Sequence, residues 1–517
     1  MTSLFPSITV SKTPQGWNVS GDYQVSLGYH LPLADGHDDG MFAEWKWDGR
    51  KLIAKVDWLG VHPLFYGYHN GVLVLSNNVM RVLEGGIPAT LDLAAIGVFF
   101  RLGFYVDCDT PFKFIRSFPP GGSLVWEDGN LSVTEKYPEP EYSEVTRNSE
   151  KDAYIELTRQ SIGRRKALHG DFIQPVSGGR DSRHILAELV HQGVKPQYTY
   201  TIETVGKGQP NCDEAIAAAV SGRLGITHKV LNHPVSSELE REALKNILTN
   251  FTTNEGTWML GALQVLQEQP EALYDGFLGD VLSAFHWSTC DDFLESYQKS
   301  GTTGAVDAII RKFNRQSWDV DETLGRIFGE APELSMDHTR QHIAQFFSKF
   351  THHHNPITQF FIFSRGRREI AMSTWGTYPF VRNILVPYLD RDLFMFYLGL
   401  PERVELPYGE TRSEAISSAF PALKGLPYAM SPRMTKGSAL RRRVLLLKNI
   451  LQGGYSGLGC RFPTLAKWAG QSVLNRNNNQ PDFISTVYLE QVQQIPLQAQ
   501  GGAGLAKVEE KLGHLTA

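Results

Sequence analysis

Where one strand hands over to a helix, the chain carries Ser177-Gly178-Gly179-Arg180-Asp181-Ser182, and this segment constrains the fold more than any other. The apolar run 171–176 before it reads as a buried strand, and an apolar helix is expected from Asp181 to His191. A helix over 151–167 precedes them. After them come a strand over 198–203, a helix over 212–224, a strand over 227–231, a long helical stretch and a strand over 271–277. Strands alternating with helices predict a parallel, doubly wound sheet. Ligands of such sheets lie outside the carboxyl ends of the strands, which is where this loop falls. Two adjacent glycines let consecutive N–H groups face an anion, and the helix starting at Asp181 adds its dipole. Ser177 and Ser182 offer hydroxyl donors, while Asp181 would repel a phosphate unless it held a magnesium ion bridging the phosphates. A Ser/Gly turn with a capping Asp is the plain alternative. Against it, S-G-G-x-D-S arises by chance once in ~1,000 chains of this length. No Gly-Lys-Ser/Thr follows, so this is not a Walker loop, and the phosphates released are expected to leave together as pyrophosphate.

The front of the chain has another rhythm. Short alternating or β-branched runs between 41 and 76 are joined by Asp48-Gly49 and Asn70-Gly71, which are hairpin turn signals. A helical stretch from Leu91 to Leu102, a Pro-Pro-Gly-Gly turn at 119–122 and a strand pair around Asp128-Gly129 follow. The polar segment 137–150 reads as a linker, dividing residues 1–145 from residues 146–517, the latter mostly helical from about 300. A length of 517 residues suits two or three domains, and 42% hydrophobic with 20% charged residues excludes a mainly disordered chain. A net charge of −5 gives no reason to expect nucleic acid or an anionic membrane as partner. Four scattered cysteines (Cys108, Cys212, Cys290, Cys460) without a CxxC pair fit a reducing compartment and no structural zinc. No signal peptide is evident, and the apolar stretch from Ile384 to Leu400 is broken by Asp390, Arg391 and Asp392, so a cytoplasmic protein is expected. His352, His353 and His354 are read as a polar loop, since consecutive histidines do not converge on one helix face.

S-G-G-x-D-S after a strand is the signature of the ATP pyrophosphatases, and further segments resemble one branch of them, the asparagine synthetases. Asp57-Trp58-Leu59-Gly60-Val61-His62-Pro63-Leu64-Phe65-Tyr66 is similar to that family's D-R-L-G-x-x-P-L-Y-Y, and Ile115 to Gly121 to its I-R-x-L-P-P-G. Val386-Pro387-Tyr388-Leu389-Asp390 matches V-P-F-L-D, and Gly279-Asp280 falls where the family has a second magnesium-binding aspartate. The resemblance runs from about residue 38 to about 440. It implies an α/β protein: a degenerate glutaminase-like (Ntn-type) α+β sandwich, then a doubly wound ATP-pyrophosphatase domain with a helical C-terminal part. It implies ATP and Mg2+ as cofactors, with Ser177, Gly178, Gly179 and Ser182 at the phosphates. Val176 and Ile202 would contact the adenosine, Gly276 would lie beside the nucleotide, and Asp181 with Asp280 would hold the metal. Lys436 would meet the pyrophosphate and the developing negative charge. Taken alone, Asp280 is also a plain surface turn, Lys436 a solvated basic turn, and Asp213 with Glu214 a helix cap.

The chain departs from that family in two places. The glutaminase nucleophile is a cysteine at the N-terminus, whereas residue 2 here is Thr2 and the first cysteine is Cys108. The glutamine-binding segments R-L-A-I-I-D and N-G-E-I-Y-N are absent and the domain reads as short at its front, so the first domain is expected to be an inactive remnant. In the second domain Phe277 and Asn383 stand where the family has acids near the acyl-adenylate, with Tyr378 and Glu369 as nearby candidate bases. Members lacking the glutaminase cysteine, such as β-lactam synthetases and lasso-peptide cyclases, resemble this chain more closely. The expected reaction is activation of a small-molecule or peptide carboxylate as an acyl-adenylate, then attack by an amine. The alternatives are asparagine synthesis from glutamine or ammonia, and a non-catalytic nucleotide-binding regulator. Base modification of tRNA is disfavoured by the acidic balance and the lack of a basic aromatic tract. The oligomeric state stays open, a homodimer included.

Overall fold

The computed structural model describes residues 4–168, 170–203, 213–232, 238–254, 256–268, 270–284, 292–314, 319–401, 410–429 and 483–499, with a few positions between 505 and 512. Thr2, Lys436 and the cysteines other than Cys108 lie outside the described residues.

The first domain is two antiparallel sheets face to face. Its strands are β1 (Ser7–Thr13), β2 (Gly16–Gly21), β3 (Gln24–Tyr29), β4 (Met41–Trp47), β5 (Lys51–Val56), β6 (Phe65–His69), β7 (Val72–Ser76), β8 (Ile115–Ser117), β9 (Ser123–Glu127) and β10 (Asn130–Thr134). One sheet runs β2-β1-β7-β6-β8 and the other β10-β9-β5-β4-β3. Alternation sets the inner face: in β9, Leu124 and Trp126 are buried between half-exposed neighbours. Ile8, Val10, Trp45, Leu52, Leu73, Leu75, Leu124 and Trp126 fill the space between the sheets. Each such side chain contributes roughly 1.5–3 kcal/mol by leaving water. The hairpins turn where expected, with Asn70 and Asp128 at φ +48° and +52° ahead of Gly71 and Gly129, the left-handed pair a type I′ turn requires. Ahead of Met41, β1 to β3 contribute to both sheets.

The second domain holds a five-stranded parallel sheet of β11 (Phe172–Pro175), β12 (Thr199–Ile202), β13 (His228–Leu231), β14 (Ala272–Tyr274) and β15 (Asn383–Leu385), in the order β13-β12-β11-β14-β15. The chain leaves β11 toward one edge and returns to β14 on the other side. The switch point therefore lies between β11 and β14, where a ligand cleft forms in such sheets. The helices that bear on the site are α1 (Arg147–Arg165), α2 (Asp181–His191), α3 (Asp213–Arg223) and α4 (Gly279–Ala284). From residue 293 the described chain is helical apart from β15 and short turns. Among the described residues no helix is long and apolar enough to cross a membrane.

A buried ionic seam joins the domains. Arg165 of α1 lies between Asp39 (2.8 Å) of the first domain and Asp390 (3.0 Å) of the Val386–Asp390 segment, all three side chains fully buried. Burial pushes the Asp39 carboxyl up to about 7, against the pull of Arg165 and with the Asp390 charge adding to the rise. Close by, the Asp57 carboxylate accepts the N–H groups of Leu59, Val61 and His62 at 3.1, 3.2 and 2.9 Å, which folds the turn back on itself. Gly60 sits at φ +62°, and a Cβ there would stand 2.9 Å from the Pro119 carbonyl oxygen. Trp58 meets Phe394 edge-on at 5.1 Å and Arg391 lies over its ring. The two first-domain segments that resemble the synthetases thus pack on each other and against the second domain.

Candidate functional site

The loop after β11 is built from its own side chains. Ser177 N–H donates to Ser182 Oγ at 3.1 Å, the two hydroxyls lie 3.2 Å apart, and Gly179 N–H donates to Ser177 Oγ at 3.1 Å. The turn brings the hydroxyls together beside the first turn of α2, as phosphate recognition at a helix N-terminus requires. Gly178 N–H donates to Asp213 Oδ1 at 2.8 Å, so Asp213 is more than a cap of its own helix.

Asp181 stands half-buried at the start of α2. Two glycines after β14 make room for it. A Cβ on Gly276 would lie 3.0 Å from Asp181 Cβ, and one on Gly279 would lie 2.6 Å from Asp181 Cγ. This close approach explains the spacing of Gly276, Gly279 and Asp280. Burial pushes the Asp181 carboxyl up to about 6, Arg412 pulls it down, and the charge of Asp280 pushes it further up. Two mutually repelling carboxylates from the ends of adjacent strands are hard oxygen donors, the kind a magnesium ion takes, so the residues present fit that ion.

Sequence reading missed Arg412. It extends from the helix Glu410–Ala419, is 2% exposed, and pairs through Nη1 with Asp181 Oδ1. No local pattern marks it, since its partner is more than two hundred positions away. The chain after that helix covers the phosphate loop. Ala429 N–H donates to the Gly178 carbonyl at 3.0 Å, Arg183 Nη2 donates to the Pro427 carbonyl at 2.6 Å, and Arg180 and Arg183 both lie over the Tyr428 ring. Lys436 follows Ala429 by seven positions, a reach of at most about 25 Å.

Val176 directly follows β11 and Ile202 ends the neighbouring β12; both are buried, the Ile202 side chain lying against Gly261. Phe277 is buried edge-on to Trp375. Asn383 does not join it. Its amide donates to the Leu168 carbonyl at 3.0 Å, and it pairs with Ala272 at the start of β14, the end of the sheet opposite the loop. Of the candidate bases, Glu369 is paired with Arg365 at 3.0 Å and accepts from Thr253 at 3.2 Å. Tyr378 shares a 2.6 Å hydrogen bond with Tyr200, and burial raises both phenols. A second carboxylate that sequence reading missed, Asp275, is half-buried just after β14 and accepts Phe277 N–H at 2.8 Å. Burial pushes it up to about 6, against that hydrogen bond, and its charge acts on both Tyr200 and Tyr378. In the first domain burial pushes the Cys108 thiol up to about 11.

Residues 35–138 match the glutamine amidotransferase domain family, so the first domain has a glutamine amidotransferase-type fold. No curated protein matches the chain. Among solved structures it is similar to the glutamine phosphoribosylpyrophosphate (PRPP) amidotransferase from B. subtilis complexed with ADP and GMP. That likeness has 12% identity over 41% of this chain and 45% of that one, with a TM-score of 0.14. A structure described as the allosteric regulatory enzyme of purine biosynthesis gives 12% identity over 42% and 46%, also with a TM-score of 0.14. The chain spans less than half the length of either, and scores this low carry no argument about function.

Proposed function

We propose that the chain is an ATP-dependent amide-bond synthetase that releases AMP and pyrophosphate. The observation that carries this reading is the meeting of the Ser177–Ser182 loop with Asp181 and Asp280 at the switch point between β11 and β14. In the reaction a substrate carboxylate attacks the α-phosphorus of ATP, forming an acyl-adenylate while pyrophosphate leaves. An amine then attacks the activated carbonyl and AMP leaves. The Ser177 and Ser182 hydroxyls and the N-terminal end of α2 hold the phosphates in line, and Val176 with Ile202 offers the adenine an apolar face. A magnesium ion held by Asp181 and Asp280 would supply Lewis-acid neutralisation of the phosphate oxygens. Lys436 stabilises the departing pyrophosphate. Asp275 replaces the lost acids as the group that takes the amine proton, because it is a half-buried carboxyl at a strand end beside Gly276.

The test is incubation with Mg2+, α-labelled ATP and a panel of carboxylates with hydroxylamine as amine. Labelled AMP together with a hydroxamate is expected, and labelled ADP would overturn the reading. A second reading, asparagine synthesis with glutamine as nitrogen donor, is favoured by the glutamine amidotransferase match over residues 35–138. The half-buried Cys108, whose thiol is pushed up to about 11 by desolvation, weighs against it. Aspartate with glutamine against aspartate with ammonia separates the two. A non-catalytic regulator would bind ATP and turn over none.

A further inference from the structure

The linker leaving the first domain lies beside the turn after the helix Met336–Ser348, and the two chains meet residue by residue. Glu135 pairs with Lys349 at 3.0 Å, Tyr137 packs edge-on against Phe350 at 5.5 Å, and Tyr142 meets His354 at 4.4 Å. The Tyr142 and His354 rings are tilted against each other rather than stacked, Ser143 N–H donates to the Gly399 carbonyl at 2.8 Å, and Pro138 is buried. Between these anchors lies Glu139, flanked by Pro138 and Pro140, whose rings fix the backbone on both sides of it. Its Oε2 stands 3.5 Å from His352 Nε2 and 3.8 Å from His353 Nδ1, and the three ligand atoms all lie within 4.8 Å of one another.

As expected, the histidines lie in a turn rather than on a helix face, and the turn lets two of them converge. Their rings sit 3.9 Å apart, and both present a nitrogen to the same carboxylate oxygen. The spacing is informative. A hydrogen-bonded pair would close to about 2.7–3.2 Å. Ligands sharing one tetrahedral zinc ion at about 2.0–2.2 Å from each lie about 3.4 Å apart.

We propose that Glu139, His352 and His353 form a site for a zinc-class divalent transition metal, clipping the linker to the helical part of the second domain. Two imidazoles and one carboxylate select Zn2+ over the hard cations Mg2+ and Ca2+, and three protein ligands leave a fourth position for water. The backbone on each side is already held by the contacts above, so metal binding has little chain to order. The site is separate from the phosphate loop and does not depend on the proposed reaction.

The test uses the full chain, stripped with a chelator and then titrated with Zn2+ by calorimetry and with Co2+ by visible absorption. One Zn2+ per chain is expected, with at least ~10-fold weaker binding in Glu139→Gln and in His353→Asn. The exposed His352→Asn provides a third variant that leaves packing untouched. Thermal unfolding without metal checks that each variant is folded. Asp181→Asn keeps the Zn2+ affinity, and excess Mg2+ does not displace the metal. Wild-type affinity in Glu139→Gln would reduce the site to an adventitious histidine pair and overturn the proposal, as would no binding by the wild type.

Discussion

Asp57 and Asp181 both follow a strand and border a glycine turn, and burial pushes each carboxyl up to about 6. Their partners differ. Asp57 is fully buried and bonded by three backbone N–H groups of its own turn. Asp181 is half-buried, faces the charge of Asp280, and pairs with an arginine brought in from a distant helix. A shifted carboxyl therefore does not by itself mark a site. One whose partners are other charged side chains is poised for chemistry, while one locked by its own backbone holds a turn. By that criterion Asp57 and the seam residue Asp390 hold structure, while the surroundings of Asp181 suit the chemistry proposed for it.

The strongest way to break this contrast is to exchange the two aspartates for alanine in turn. Asp181→Ala is expected to lower pyrophosphate release more than ~1,000-fold in protein that is still folded, with a lower unfolding temperature because Arg412 loses its partner. Asp280→Ala should match it, and the double variant should be little worse, since both serve one ion. Asp57→Ala should instead unfold at lower temperature while keeping turnover in whatever remains folded. Near-normal turnover in a folded Asp181→Ala protein would remove the chemical half of the contrast.

The ionic seam gives the next largest effect. Asp39→Ala leaves Arg165 with one buried partner in place of two, and a loss of about 3 kcal/mol of stability is expected by denaturant unfolding. Its pH dependence has a definite sign. The folded value of Asp39 is raised to about 7 from an unfolded value of about 4, so the folded state binds the extra proton between them. Stability is full below about pH 4 and falls as pH rises toward 7. Asp57, Asp181 and Asp275 are raised to about 6 and share the lower part of that fall. Asp39→Asn should flatten the slope over the whole range from about pH 4 to 7, leaving almost none between 6 and 7 and only that of Asp57, Asp181 and Asp275 below 6. An unchanged slope there would mean that Asp39 is ionised throughout.

Lys436→Met should lower kcat by about 100-fold with ATP affinity little changed, because its charge acts where negative charge builds up. Arginine should rescue poorly, its planar fork placing the charge elsewhere. Wild-type kinetics would return Lys436 to a solvated turn.

The legible parts of the chain were those whose signal is local. Ser177–Ser182, the Asn70-Gly71 and Asp128-Gly129 hairpins and the strand–helix alternation each sit within a dozen residues, and the structure places all of them as expected. What escaped was either weakly patterned or held together at long range. β2 carries only two apolar residues, Trp17 and Val19, alternating with exposed ones, which is too short a pattern to mark a strand. β15 is three residues long. Arg412 with Asp181, and Arg165 with Asp39 and Asp390, pair across more than a hundred positions, and nothing in their neighbours announces it. Asn383 was misplaced because a motif position says which strand a residue is on, but not which end of the sheet it faces.

The smallest expected effect tests the first domain directly. Cys108 lies next to Asp107, its thiol 3.6 Å from the Asp107 carboxylate, and burial drives it up to about 11. Near pH 7 only on the order of one thiol in 10,000 would be ionised, and the thiolate is the reactive form. A nucleophile for glutamine needs the opposite surroundings, a lowered value and an exposed sulfur. Cys108→Ser is therefore expected to change synthetase turnover less than about two-fold. Neither the wild type nor this variant should release glutamate from glutamine, with ATP or without it. Glutamate release abolished by Cys108→Ser would place chemistry in the first domain after all. Release that survives Cys108→Ser and disappears in Thr2→Ala would do the same through the Thr2 hydroxyl. In either case a carboxylate locked by its own backbone, as Asp57 is, would then sit in a working domain, and burial with full hydrogen bonding would no longer separate structural from chemical segments here.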